Sequence, residues 1–249
     1  MFYCCGITEK GVTPHNEDSL MIGKNVLTDG AAEFRLNEPF ITAVSDGVSG
    51  EPSGEIASSM CLKLLSNVKY SKKVRLEPKI AEIHNKLAKY GSERAETLNM
   101  QATLCGLAVD ENRRIHTINV GDSRLYRFRG GRVKQLSRDQ SLVQVLYEKG
   151  AITLEERKTH EQRNMIFPVL GNMSSTPDID VQILDGGIKY GDILLLCSDG
   201  LSDFVPAFII GEILELPKSL PSRLKMLVDK ALENGGSDNI TIVAIVYTS

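Results

Sequence analysis

Short apolar runs rich in β-branched and aromatic side chains recur along the chain, each closed by turn-forming residues, and predict strands. They cover 2–8, 39–45, 103–109, 114–120, 125–129, 193–197 and 240–247. Gly130 and Gly131 follow the fifth run and fit a hairpin turn, where positive φ is cheap for glycine. Other segments repeat with helical period. Ser53 stands where it would cap a helix whose face carries Ile56, Met60 and Leu64, with Ala57, Cys61 and Leu65 beside them. A second helix has Ile80, Ile83, Leu87 and Tyr90 on one side. A third carries Leu224, Leu227, Val228, Ala231 and Leu232 and stops at Gly235-Gly236.

Adjacent strands separated by helical pairs favour an antiparallel sheet core covered by helices over an alternating parallel arrangement. The expected class is α+β, a layered sandwich in a single domain spanning 1–249, since no repeat, low-complexity tract or long linker divides the chain. With 249 residues, 42% hydrophobic and 24% charged, the chain has ample material for one core.

A formal charge of −3 and a pI near 5.9 give no global field for nucleic acid or an anionic membrane, so neither is an expected partner. The basic cluster Lys69, Lys72, Lys73 and Arg75 falls between two helical patterns and reads as a solvated loop. The five cysteines lack Cys-x-x-Cys spacing and read as reduced core residues; neighbours Cys4 and Cys5 would point to opposite faces of a strand. With neither a leader pattern nor an apolar stretch of the ~20 residues that span a bilayer, a soluble, cytoplasmic monomer is expected.

Acidic residues recur where apolar strands begin or end: Asn16-Glu17-Asp18, Ser45-Asp46-Gly47, Gly121-Asp122-Ser123-Arg124, Ser198-Asp199-Gly200 and Ser237-Asp238-Asn239. Singly, each is an ordinary turn, and Asp122 with Arg124 also reads as a pair ordering a tight turn. Together, converging carboxylates repel one another unless cations or protons neutralise them. Oxygen donors without paired His or Cys favour Mg²⁺ or Mn²⁺ over softer metals. Two such ions can activate a water for phosphoester hydrolysis. The scattered histidines and cysteines offer no nucleophile, base and phosphate cradle for a cysteine-dependent phosphatase.

Eight stretches, in order, resemble the metal-dependent protein phosphatase family (PPM, type 2C), above all its compact bacterial members. They are HNEDS (15–19), SDGVSG (45–50), GEIAS (54–58), MQATL (100–104), GDSRLYRFRGGRVKQLSRDQSL (121–142), THEQRNMIFPVLG (159–171), GDILLLCSDGLSD (191–203) and GGSDNITIV (235–243). The resemblance implies a layered α-β-β-α sandwich whose two central antiparallel sheets are flanked by helices. It implies a signalling hydrolase that removes phosphate from phosphoserine and phosphothreonine by direct attack of a metal-bridging hydroxide. Phosphorylated proteins are the implied substrates and a serine/threonine kinase the implied counterpart. By position, Asp46 resembles the bridging carboxylate, Glu17 and the Gly47 carbonyl complete one ion, and Asp199 and Asp238 hold the other. Asp18 resembles an acid that orients metal-bound water. Asp122 resembles a ligand of a weaker third ion, shared with Asp199. Residues 139–164 resemble a mobile flap, with short helices around 142–149 and 154–157.

The sequence departs from the family at several places. Thr13 stands where an arginine usually clamps the substrate phosphate; Gln140, Pro168 and Glu51 replace a histidine, an arginine and a histidine. Val48 replaces a histidine of animal members, so no acid is expected there. His15 or Arg163 would have to take the phosphate-binding role. Thr13 leaves a second reading open, a weakly catalytic phosphoprotein-binding module, and the same metal chemistry would also serve small phosphomonoesters. Because a neutral hydroxyl replaces a bidentate cation, the KM for a phosphopeptide is expected to be elevated, and Thr13→Arg to lower it by about tenfold. An unchanged KM in steady-state assays of that variant would count against this role.

Overall fold

The computed structural model describes residues 1–48 and 53–248. Glu51 and the Ser49-Gly50 end of the SDGVSG motif lie outside the described residues. In chain order the strands are β1 (Phe2–Glu9), β2 (Asp18–Ile22), β3 (Asn25–Leu27), β4 (Gly30–Leu36), β5 (Phe40–Asp46), β6 (Leu104–Val109), β7 (Ile115–Val120), β8 (Arg124–Arg129), β9 (Arg132–Gln135), β10 (Asp180–Ile183), β11 (Ile193–Cys197) and β12 (Ile240–Tyr247). The helices are α1 (Gly54–Ser66), α2 (Leu76–Ser92), α3 (Leu142–Glu148), α4 (Leu154–Thr159), α5 (Asp199–Ser202), α6 (Ala207–Glu215) and α7 (Leu220–Glu233).

Strand order is β4-β1-β12-β11-β8-β9 in one sheet and β10-β7-β6-β5-β2-β3 in the other, and the pairings are antiparallel. The sheets face each other across a core that includes Phe2, Cys4, Leu20, Val44, Leu194 and Val243. On the far side of the first sheet, Cys5, Leu195 and Ile242 pack under α6 and α7; on the far side of the second, Met21 and Ala43 pack under α1 and α2. The central strands are thus enclosed on both faces. That explains why Ile193–Cys197 reads as a continuous apolar run instead of alternating. Cys4 and Cys5 point to opposite faces, and all five cysteines are free and buried. Among the described residues no helix is long and apolar enough to cross a membrane.

The predicted strands and helices recur within a residue or two. Arg129 pairs with Arg132 around Gly130 and Gly131, both at positive φ, so the turn is the two-residue hairpin the sequence implies. Lys69, Lys72, Lys73 and Arg75 are exposed on the loop between α1 and α2. One expectation fails in detail. Ser53 precedes α1 but does not cap it with its side chain: its φ of 62° turns the hydroxyl away, to donate to the Glu96 carbonyl at 2.7 Å. β2, β4 and α6 carried no clear signal. β2 opens on Asp18-Ser19, β4 is a largely exposed edge strand, and α6 is rich in isoleucine, which blurs helix with strand.

Two glycines let backbones close at the sheet edge where the acidic motifs gather. A Cβ on Gly47 would stand 2.4 Å from the carbonyl of Gly54, and one on Gly200 would stand 1.9 Å from the carbonyl oxygen of Asn239. Neither obstacle is a flexible side chain. Gly200→Ala should therefore cost roughly 3 kcal/mol and lower the Tm by about 6–12 °C, read by thermal denaturation. A Tm within 2 °C of the parent would refute this account.

Candidate metal centre

The acidic motifs sit where strands end because hydrogen bonds fix their backbones there. Asp46 ends β5 and lies opposite Asp18, which opens β2. The Asp46 amide donates to Thr103 Oγ1 (3.0 Å), and its carbonyl accepts from the Thr103 amide (2.8 Å). Thr103 Oγ1 is 2.8 Å from Ser123 Oγ, which joins this strand end to the β7–β8 turn carrying Asp122. Asp199 opens α5 directly behind β11, and Asp238 precedes β12. Asp46, Asp122, Asp199 and Asp238 line one cavity of about 120 Å³, together with Val48, Thr103, Asn164 at the end of the 139–164 segment and Ile166 just past it.

Glu17 and Gly47 are not among the residues lining this cavity and stand next to Asp18 and Asp46 in the chain. The Gly47 amide donates to the Glu17 carbonyl (3.1 Å), and the Glu17 carboxylate lies 3.0 Å from where a Cβ on Gly54 would stand. Asn239 holds the loop that delivers Glu17. Its Oδ1 accepts from the Glu17 amide (2.7 Å), while its Nδ2 donates to Thr13 Oγ1 (2.6 Å) and to the carbonyls of Lys10 (3.0 Å) and His15 (2.9 Å). Thr13 is therefore engaged inside its own loop. Its hydroxyl lies within reach of the Lys10 and His15 carbonyls, and Thr13 does not line the acidic cavity. His15 is exposed on the same loop. Arg163 lines a neighbouring cavity of about 370 Å³ that shares Asp122 and Asp199 with the first.

Asp18 is 1% exposed. Its Oδ2 accepts from Ser198 Oγ (2.7 Å), which accepts in turn from the Thr241 amide (3.0 Å). Thr241 Oγ1 is 2.6 Å from Thr8 Oγ1, which accepts from Asn16 Nδ2 (2.9 Å). Burial nevertheless pushes the Asp18 carboxyl up to about 7, with the Asp238 charge adding to it, against the lowering effect of its hydrogen bonds. Asp46 and Asp199 are also held well above the usual carboxylate range, first by burial and then by neighbouring carboxylates. Burial raises Asp122 likewise, with Asp139 and Asp203 contributing. Asp46, Asp122 and Asp199 keep part of their surface open to solvent, which moderates the rise without reversing it.

The simple Asp122–Arg124 turn pair is not what forms. Arg124 turns instead to Asp139, with Nε at 3.1 and 3.0 Å from its oxygens and Nη2 at 2.7 Å, which leaves the Asp122 carboxyl facing the cavity. Among the described residues no three His, Cys, Asp or Glu side chains are already drawn together as a ligand set. The donor chemistry nonetheless fits a hard divalent cation: oxygen donors from separate elements face one small cavity, and their mutual charge is uncompensated. Glu17, Asp46, the Gly47 carbonyl, Asp122, Asp199 and Asp238 could hold such ions. Ser198, Thr241, Thr103 and Asn239 were not singled out from sequence as supports. A polar residue inside an otherwise apolar strand, as at Thr241, was the available signal.

The protein phosphatase 2C family model matches residues 28–233. The serine/threonine phosphatase stp of Listeria monocytogenes is 31% identical over 248 residues, covering 96% of this chain and 93% of that protein. The crystal structure of serine/threonine phosphatase Stp1 from Staphylococcus aureus superposes with a TM-score of 0.84 at 28% identity, covering 100% of this chain and 96% of the other. The catalytic domain of serine/threonine protein phosphatase PstP in complex with two manganese ions has a TM-score of 0.79 at 27% identity, with both chains fully covered. Strand order, acidic strand ends and these matches agree, and the chain belongs to the protein phosphatase 2C family.

Proposed function

We propose that this protein is a metal-dependent serine/threonine protein phosphatase acting on phosphorylated proteins opposite a serine/threonine kinase. The observation that carries the reading is the convergence of Asp46, Asp122, Asp199 and Asp238 on one cavity in a member of this family. Phosphatase names among the relatives, and the two manganese ions in the PstP structure, support the substrate class and the metal.

In this reading Asp46, Glu17, the Gly47 carbonyl, Asp199 and Asp238 would hold two ions, and Asp122 with Asp199 would hold a weaker third. Mn²⁺ or Mg²⁺ bound there would lower the pKa of water for attack on phosphorus and screen charge on the phosphoryl oxygens. The chain's own residues position that chemistry. Asp18, held by Ser198, offers a fixed acceptor beside Asp46 that orients a water proton. Val48 on the cavity wall gives no proton, so the leaving oxygen takes its proton from solvent. The Thr13 hydroxyl, engaged by Asn239, leaves phosphate contact to Arg163 on the neighbouring wall. The protein is a monomer, and residues 1–249 act as one domain with 139–164 as its flap.

Phosphate release from a phosphothreonine peptide should require Mn²⁺ or Mg²⁺ and fall by at least ~100-fold in Asp199→Asn, because that change removes a charged oxygen ligand. A folded protein inactive with both metals would favour the binding-module reading. The raised carboxyl pKa values also fix a sign for stability. A carboxyl whose folded pKa exceeds its unfolded value of 3.8 stabilises the fold when protonated, and that contribution disappears as pH rises through the folded pKa, about 7 for Asp18. In EDTA the Tm should therefore drop by ~5 °C between about pH 5 and pH 7, and saturating Mn²⁺ should flatten the slope. Equal slopes with and without metal would show that these carboxyls do not meet the ion.

A further inference from the structure

The 139–164 segment is pinned at its base by backbone. The Leu142 amide donates to the Met165 carbonyl and the Phe167 amide to the Gln140 carbonyl, both at 2.9 Å. Arg138 grips Glu148 at the end of α3 through two bonds of 2.7 and 2.6 Å. α4 is different, because none of its residues is buried. A helix without an apolar face on the core depends on polar ties for its position. Thr153 and Glu156 close a capping box at its start (3.2 and 2.7 Å), which fixes the direction in which the next residue, Arg157, projects.

The Arg157 side chain is 17% exposed and faces inward. Its Nη1 donates to Gln144 Oε1 on α3, and its Nη2 donates to Asp139 Oδ2 at 3.4 Å. Asp139, 4% exposed, is held by Arg124 and by Gln135 Nε2 at 2.6 Å. Arg124 in turn donates to the Ser202 carbonyl (3.3 Å) and lies 4.0 Å from Asp203, at the end of the helix that Asp199 opens. A line of alternating charge thus runs from α4 to the helix carrying a proposed metal ligand. Beyond α4, Asn164 and Ile166 wall the acidic cavity, while Leu154, Lys158 and Arg163 wall the adjoining one.

We propose that Arg157 is a positioning residue that latches the flap to the floor of the site, so that a protein substrate meets one fixed flap geometry. The inference rests on the phosphatase reading. Loss of Arg157 leaves Asp139 paired with Arg124, so the fold survives; loss of Asp139 would strand a buried guanidinium and confuse the test.

The test uses the full chain with Mn²⁺ and compares Arg157→Ala, Arg157→Lys, Gln144→Ala and the Arg157→Ala/Gln144→Ala double variant. For Arg157→Ala, the KM for a phosphothreonine peptide should rise about three- to tenfold, with kcat and the kcat/KM for a small aryl phosphate within about twofold of the parent. Glutamyl endopeptidase should cut faster within the flap, at Glu155, Glu156 or Glu161. Arg157→Lys should recover part of both effects, and Gln144→Ala should add little to Arg157→Ala, because its other bond is an exposed one to Glu148 on its own helix (2.8 Å). Unchanged peptide KM and unchanged flap cleavage would overturn the latch. So would equal losses on peptide and small ester, which would place Arg157 in the chemistry or the general fold. A parent protein inactive on both substrates would defeat the phosphatase reading, while the cleavage rates would still decide the latch.

Discussion

The buried hydroxyl of Ser198 is the point on which the site depends. It receives the Thr241 amide from one strand and gives its proton to Asp18 on the facing sheet, so the two layers are registered at their acidic edge by a contact between buried polar groups. Apolar packing between sheets is tolerant of small slides; a hydrogen bond between buried groups is not, because breaking it strands an acceptor. With the sheets in register, Asp46 from one and Asp199 and Asp238 from the other face the same space, with Asp18 buried opposite Asp46 in the strand pairing. Asn239 extends the control by holding the loop that delivers Glu17.

Much of the architecture was legible because the inner strands are enclosed on both faces and announce themselves as apolar runs. β12 and β11 are recovered residue for residue, and the stripes of α2 and α7 become their buried faces, with Tyr90 and Leu232 only partly buried at the margins. Elements at the margins were not legible. β4 has one bonded neighbour and a largely exposed sequence, and α6 owes its helical state to the sheet beneath it more than to its isoleucines. Ser53 shows a different limit. Residue type gave the helix start correctly, yet a positive φ, which sequence does not encode for serine, sent the hydroxyl elsewhere.

The candidate site was legible as a set of acids and illegible as a set of supports. Asp46, Asp122, Asp199 and Asp238 each stand beside a strand in the sequence, and the fold makes them neighbours. Thr103, Ser198 and Thr241 look like ordinary polar residues until their long-range partners are known. Arg124 illustrates why local pairing rules fail here: its nearest acid in sequence is Asp122, but a bidentate geometry with Asp139 wins. The place left by the usual arginine is also more than a missing cation. Thr13 has become part of the loop's internal bonding, so restoring a charge there would alter the loop as well as the site.

β12 lies between β1 and β11, and Phe2 pairs with Tyr247. The first and last strands therefore close the sheet that carries Asp199 and Asp238, and they do so across nearly the whole sequence. Contacts of such long sequence separation form late and slowly during folding. The acidic cavity therefore belongs to the closed sandwich: without the β1–β12 pairing, Asp238 at the head of β12 has no fixed place beside Asp46.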